Sequence, residues 1–345
     1  MQASSQQALR VVAIGGGTGL STLLRGLKRF VPPPPGSPFP ADSRCKESAC
    51  AIHDLSAIVT VTDDGGSSGR LREELKMLPP GDVRNCLVAL SEDEHLLSRL
   101  FQHRFSHGDL QGHSFGNLFL AALTEISGDF AQAVQTSSQI LATRGRIYPS
   151  TTVNATLSAE MDDGSIVRGE TNITKSKRSI VELKLDPIDA APMPEALEAI
   201  AAADLITIGP GSLYTSLITN LLVQGIPEAL SSASATRVYI CNLMTQANES
   251  LGLSAAEHIE KIFNHAHARI FDYALINTAP ILPATREQYA REGQTPIEAD
   301  LERVRALGVE PIVGSFVHEA EVLRHNYDNV AERVLALAQS RSSLR

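Results

Sequence analysis

Apolar positions along the chain come in short blocks cut by glycine-rich polar turns, and the blocks alternate between two kinds. Residues 9–14 form a continuous apolar run that stops at Gly15-Gly16-Gly17, as a strand covered on both faces does. Leu20, Leu23, Leu24 and Leu27 then recur at helical spacing through residue 30. Strand, glycine turn and helix in that order open an α/β domain. Residues 55–61 predict a second buried strand, and helices dominate from there to about residue 144. The clearest spans 115–126, and Asp129 is placed to cap another over 129–143.

The middle of the chain changes character. Residues 152–161, 165–170 and 179–185 read as strands, with hairpin-turn chemistry at Asp162-Asp163-Gly164. Alternation resumes with a strand over 204–208, a helix over 212–223, a strand over 237–241 and a helix over 254–265. Residues 273–277 and 311–313 are further strands, and 326–339 form a closing helix. The pattern predicts a Rossmann-like three-layer α/β sandwich with a mostly parallel sheet and an antiparallel hairpin inserted midway, one domain over 9–340. Residues 31–54 break it: six of the 18 prolines fall in 31–40, which predicts an extended surface insertion. Cys45 and Cys50 lie inside it and are expected as unpaired thiols, because only His53 is near to complete a metal site.

Composition narrows the function. A chain of 345 residues with 43% hydrophobic and 20% charged positions is ordinary globular material and needs no disulfide staple. A net charge of −9 and the absence of Trp speak against a nucleic-acid partner. Four cysteines fit a reducing compartment. The first residues lack the basic and apolar regions of a signal peptide, and no apolar run approaches the ~18 residues of a membrane span. A cytoplasmic protein is expected.

The candidate chemistry sits at strand ends. Gly15, Gly16, Gly17, Thr18 and Gly19 occupy a strand-to-helix junction, where backbone N–H groups meet a phosphate. The loop fails the dinucleotide fingerprint, since Leu20 stands where a third glycine is needed, and it lacks the Lys-Ser/Thr pair of a P-loop. Asp63 and Asp64 lie in the glycine-rich turn after the second strand; near a pyrophosphate they call for Mg²⁺, and they are the candidate metal ligands. The same turn also suits a plain polar loop with an Asp cap. Pro79-Pro80-Gly81-Asp82 reads as a proline-led start with Asp82 as cap, placing Arg84 and Asn85 in the first turn. His113, Ser114 and Asn117 cluster at the start of the 115–126 helix, although a single His is more often structural. His103 and His107 are four apart on an expected helix, without the carboxylates of a zinc motif. A second strand–glycine–helix junction carries Gly209, Gly211, Ser212, Tyr214 and Thr215. Both junctions and Asp63-Asp64 are expected to face one cleft, with Arg84 and Asn117 lining it.

Together these segments, with Cys241-Asn242-Leu243-Met244-Thr245-Gln246, resemble the YvcK family, the gluconeogenesis-factor branch of the CofD-like proteins. The resemblance runs from about residue 11 to about residue 277. It implies a CofD-like fold, a cytoplasmic location and binding of UDP-sugars such as UDP-N-acetylglucosamine. It also implies a role linking carbon metabolism to cell-wall synthesis and cell shape through regulated partners, and leaves room for a homo-oligomer. The related transferases move a phospholactyl group from a nucleotide-activated donor with Mg²⁺, and in such an enzyme Asp63 and Asp64 become the catalytic pair. The form of the Asp63–Gly69 loop favours the regulator. The chain departs from the family pattern in the 31–54 insertion and in Asn248-Glu249-Ser250, where Pro-Gly-Glu is usual.

Overall fold

The computed structural model describes residues 8–34, 45, 50–92 and 94–342. Ten strands account for two sheets: β1 (Leu9–Gly15), β2 (Ile52–Val59), β3 (Arg146–Pro149), β4 (Thr156–Met161), β5 (Ile166–Arg168), β6 (Ile180–Asp186), β7 (Leu205–Ile208), β8 (Thr236–Ile240), β9 (Tyr273–Asn277) and β10 (Glu310–Gly314). Seven of them form a parallel sheet in the order β10-β9-β8-β7-β1-β2-β3, and β5-β4-β6 make a small antiparallel sheet. The Rossmann-like layered expectation therefore holds, and the strand expected over 179–185 is β6, which joins the midway hairpin β4-β5 as its third strand.

The central strand shows why. Apart from Arg10, every residue of β1 is buried. Because side chains alternate along a strand, Val11 and Ala13 face one core and Val12 and Ile14 the other. On the first face lie α1 (Gly17–Lys28), α3 (Gly81–Leu90) and the closing helix Tyr327–Ser342. On the second lie the antiparallel sheet and helices Pro194–Ala202, Ile226–Ser232 and Ala255–Ala266. Between β2 and β3 run α2 (Gly66–Leu75), α3, α4 (Glu94–Gln102), α5 (Phe115–Ser127) and α6 (Phe130–Ile140). Asp129 caps α6 by accepting from the Gln132 N–H.

Several expectations are corrected. β2 begins at Ile52, paired with Leu9, so residues 52–54 belong to the sheet and not to the insertion. Polar His53 and Asp54 disguise the start of that strand. Residues 35–44 and 46–49 of the insertion lie outside the described residues. Cys45 and Cys50 are joined in a disulfide, with 4.4 Å between Cα atoms, in place of the free thiols expected; that separation is at the short end of the range a disulfide spans. His103 lies beyond the end of α4, so it and His107 share no helix. The segment after Ser212 is a π-helix, Leu213–Ile218, followed by one short α turn, Thr219–Leu221. The Leu217 N–H reaches back five residues to the Ser212 carbonyl, and the Thr219 hydroxyl takes the Tyr214 carbonyl. β3 escapes sequence reading because it has four residues and ends in proline, which a sheet tolerates at its edge.

Candidate functional site

β1 and β7 are parallel neighbours, with Ile14 opposite Ile208, so both glycine junctions leave the sheet at its carboxyl edge. Gly17 (φ +60°) and Gly209 (φ +85°) hold left-handed backbone that other residues adopt at a cost. The two junctions touch through backbone: a Cβ on Gly19 would stand 2.3 Å from the Pro210 carbonyl oxygen and 3.0 Å from the Gly211 Cα. Fully buried Asn220 ties them, donating to the carbonyls of Gly15 (3.0 Å) and Ser216 (2.6 Å). Asn242 closes a ring on Gly211, donating to its carbonyl at 2.8 Å and accepting from its N–H at 3.3 Å. Gln246 donates to the Ser212 hydroxyl at 3.1 Å.

Between the junctions lies a cavity of about 230 Å³, lined on one side by Gly16–Gly19, Gly211 and Ser212. The lining also takes in Tyr289 of the helix Pro283–Ala290, Gln294, and Arg324 and His325 of a two-strand ribbon formed with Val317–His318. Burial pulls the His325 imidazole down to about 4, so it is neutral near pH 7 and its Nε2–H donates to the Cys241 carbonyl at 3.0 Å. Arg324 is the one fixed cation on this lining among the described residues, and no carboxylate shares it. The lining suits a polyanion held by backbone N–H groups together with a single guanidinium.

Beside the first junction lies a group of carboxylates. Asp82 is not the cap of α3, whose N-cap is Pro80; it sits in the first turn and accepts from the backbone N–H of Gly17. Loss of solvent pushes it up to about 6. Glu170, which starts the helix Glu170–Lys175, is pushed up to about 9 by desolvation and by the charges of Asp63, Asp82, Glu249 and Asp64. Glu249 is also raised by burial while accepting from the Tyr214 N–H (3.1 Å) and the Thr215 hydroxyl (2.9 Å). Asp63 accepts from the Gly65 N–H at 2.9 Å and Asp64 from the Thr171 N–H at 2.8 Å, which moors the antiparallel sheet to the site. Arg72 lies behind them, donating to the carbonyls of Thr62 (3.3 Å) and Ala155 (2.7 Å).

The raised Glu170 makes stability depend on pH. A carboxyl that titrates at about 9 in the fold and near 4.5 outside it binds more protons folded than unfolded across that window. Stability is therefore full below the lower value, falls as pH rises through the window, and levels above it. In a metal-free buffer, Glu170→Gln is expected to flatten that fall, matching the wild type at the acid end and melting higher at pH 8. Thermal melts over the range check this, and parallel curves would remove Glu170 as the cause.

The structure brings Gly16, Gly17, Thr18, Gly19, Gly211 and Ser212 onto one cavity wall, with Gly15 and Gly209 in the backbone behind. It does not bring Asp63, Asp64, Arg84 or Asn117 onto that lining. Arg84 donates to the Ser114 hydroxyl at 2.7 Å, to Asn117 Oδ1 at 2.9 Å and to Asn85 Oδ1 at 2.8 Å. Asn117 in turn donates to the Ser67 hydroxyl at 3.1 Å, and Ser67 lies 3.1 Å from His113 Nδ1. These six polar residues bond one another, leaving Arg84 Nε without a partner among the described residues, and lock α2, α3 and α5 together. Tyr214 points away, its hydroxyl donating to the Ile180 carbonyl at 3.2 Å, and burial raises it to about 12. Sequence reading missed Tyr289, Gln294, Arg324 and His325. It also gave no role to Asn242, two residues beyond the end of β8, where a strand-end rule would have found it.

A sequence model of the family described as 2-phospho-L-lactate transferase CofD matches residues 11–317. The chain is 49% identical to a gluconeogenesis factor from Halalkalibacterium halodurans, over 94% of this chain and 95% of that one. It is 44% identical to the gluconeogenesis factor of Bacillus subtilis, over 96% of this chain and 98% of that protein. A crystal structure of a UPF0052-family protein from Bacillus halodurans superposes with a TM-score of 0.87 at 48% identity, covering 95% of this chain and 99% of that one. Among the described residues no helix is long and apolar enough to cross a membrane. With matches of this extent to sequence and fold alike, the chain belongs to the CofD family, among its gluconeogenesis-factor (YvcK) members.

Proposed function

We propose that this chain is a cytoplasmic regulatory protein that binds a nucleotide sugar of the UDP-N-acetylglucosamine type and links carbon metabolism to cell-wall synthesis and cell shape. The observation that carries this reading is the pairing of two strand–glycine–helix junctions at one sheet edge, sharing a small cavity with a single guanidinium. Backbone N–H groups at such junctions suit a diphosphate. The hydroxyls of Thr18 and Ser212 suit a sugar or phosphate without adding charge. The names of the relatives support the metabolic half of the reading.

Mg²⁺ fits as a companion of the nucleotide. Asp63 and Asp64 each commit one oxygen to a backbone N–H and keep the other, and the carboxylates outnumber the arginines behind them. Among the described residues no three metal-binding side chains converge, so phosphate oxygens and water would complete the shell. Bound there, the ion would neutralise the diphosphate beside the carboxylates.

Calorimetry with UDP-N-acetylglucosamine tests the proposal. Saturable binding is expected, weakened at least tenfold (about 1.4 kcal/mol) in Gly17→Val, whose branched side chain enters the space above the junction. A folded Gly17→Val protein with unchanged affinity would sink it. The transferase description of the matching family favours a second reading, in which Asp64→Asn abolishes a metal-dependent transfer from a nucleotide-activated donor. Turnover by the wild type at an ordinary enzymatic rate would decide for it.

A further inference from the structure

A larger cavity, about 540 Å³, opens at the same sheet edge one strand further along, beyond the ends of β8 and β9. Its partition from the first cavity is a pair of irregular segments. Thr245 N–H donates to the Thr295 carbonyl at 2.8 Å, Thr295 N–H donates to the Thr245 hydroxyl at 2.9 Å, and Met244 bridges Pro296. Asn242 and Leu243 line both sides. The floor is buried and apolar: Leu243, Ile276, Ile281 and Ile297. The rim is polar and exposed: Thr278, Thr295 and Arg286. Arg286 stands three residues before Tyr289, so one helix serves both cavities. Among the described residues its guanidinium has no hydrogen-bond or ion-pair partner.

We propose that this second cavity is a binding site for a small amphiphilic organic anion, a carboxylate or phosphate monoester with an apolar body. Its volume is in the range of small-molecule sites, and its place beyond strand carboxyl ends is where parallel sheets take ligands. An unpaired guanidinium fork on an otherwise uncharged lining selects an anionic head, and two free threonine hydroxyls beside it donate to the same group. The four aliphatic side chains below take the body of the ligand. A nucleotide is not favoured, because this cavity has no glycine junction to receive a diphosphate.

Calorimetric titration of the full chain with phenyl phosphate and with benzoate tests the site. At least one probe is expected to bind saturably at one site, and which of them does so identifies the head group. Arg286→Met is expected to weaken that binding at least tenfold, about 1.4 kcal/mol. Arg286 is exposed and unpartnered, so the melting temperature should not move. Thr295→Trp, which fills the cavity from its rim, is expected to abolish binding, with a melt to show the variant folded. Failure of both probes to bind the wild type overturns the proposal. So does binding that survives Arg286→Met or a folded Thr295→Trp unchanged, since the probe then sits elsewhere. These outcomes are independent of whether the first cavity takes a UDP-sugar.

Discussion

Gly19→Ala is expected to destabilise the protein by about 2 kcal/mol and to weaken binding in the first cavity at least tenfold. Helix propensity alone points the other way, because Ala is favoured over Gly within a helix by about 1 kcal/mol. Gly19 lies in α1 without a left-handed φ, so no backbone strain enters the comparison. The opposing term is contact: the new Cβ would meet the Pro210 carbonyl oxygen at 2.3 Å and the Gly211 Cα at 3.0 Å. Both are backbone and cannot swing aside as a flexible side chain does. Relief requires the two junctions to move apart, and the cavity between them loses its shape. Urea denaturation and calorimetry on the same preparation check the two halves. A variant as stable as the wild type and equal in affinity would show that the junctions do not act as one rigid floor.

Arg144→Met is expected to cost more, about 3–5 kcal/mol, and to leave the cleft intact. The Arg144 side chain is 7% exposed and that of Glu92 6%, so both charges are out of water. Their bidentate pairing, 2.5 and 2.9 Å, is completed by the Val31 carbonyl at 3.3 Å. Removing the arginine strands a buried carboxylate, whereas removing both partners does not. The double variant Arg144→Met with Glu92→Met should therefore recover most of the loss. Urea midpoints of the two single variants and the pair measure the coupling. A single variant that loses under 1 kcal/mol would place the pair in water.

The parts of this molecule that were legible in its sequence are those fixed by short-range chemistry. An apolar run ending in glycines and followed by helical spacing announced both junctions, and a sheet of parallel strands then has to bring them to one edge. The carboxylates were only half legible. Asp63 and Asp64 adjoin a glycine turn, but Glu170 reaches them from the helix between β5 and β6, and no local spacing reports where that unit docks. Arg84 and Asn117 were visible as polar residues at helix starts. That they spend their hydrogen bonds on each other, away from the cleft, depends on how α3 packs on α5. The ribbon carrying Arg324 and His325 is two residues long on each strand, too short for periodicity to mark it.

The π-helix at Leu213–Ile218 also sets how the chain tolerates changes in its own length. A π turn holds one residue more than the α turn it replaces. Deleting a single residue there would let regular α geometry run straight through, at no cost in helical hydrogen bonds. The segments on either side would keep their facing, because the wider turn already absorbs the extra residue. What would change is the turn itself, whose Tyr214 N–H and Thr215 hydroxyl now hold Glu249. A deletion in an exposed connection takes up slack, whereas here it removes donors from a buried carboxylate beside the second glycine junction. Insertions and deletions among relatives should therefore avoid residues 213–218, whatever substitutions those positions accept.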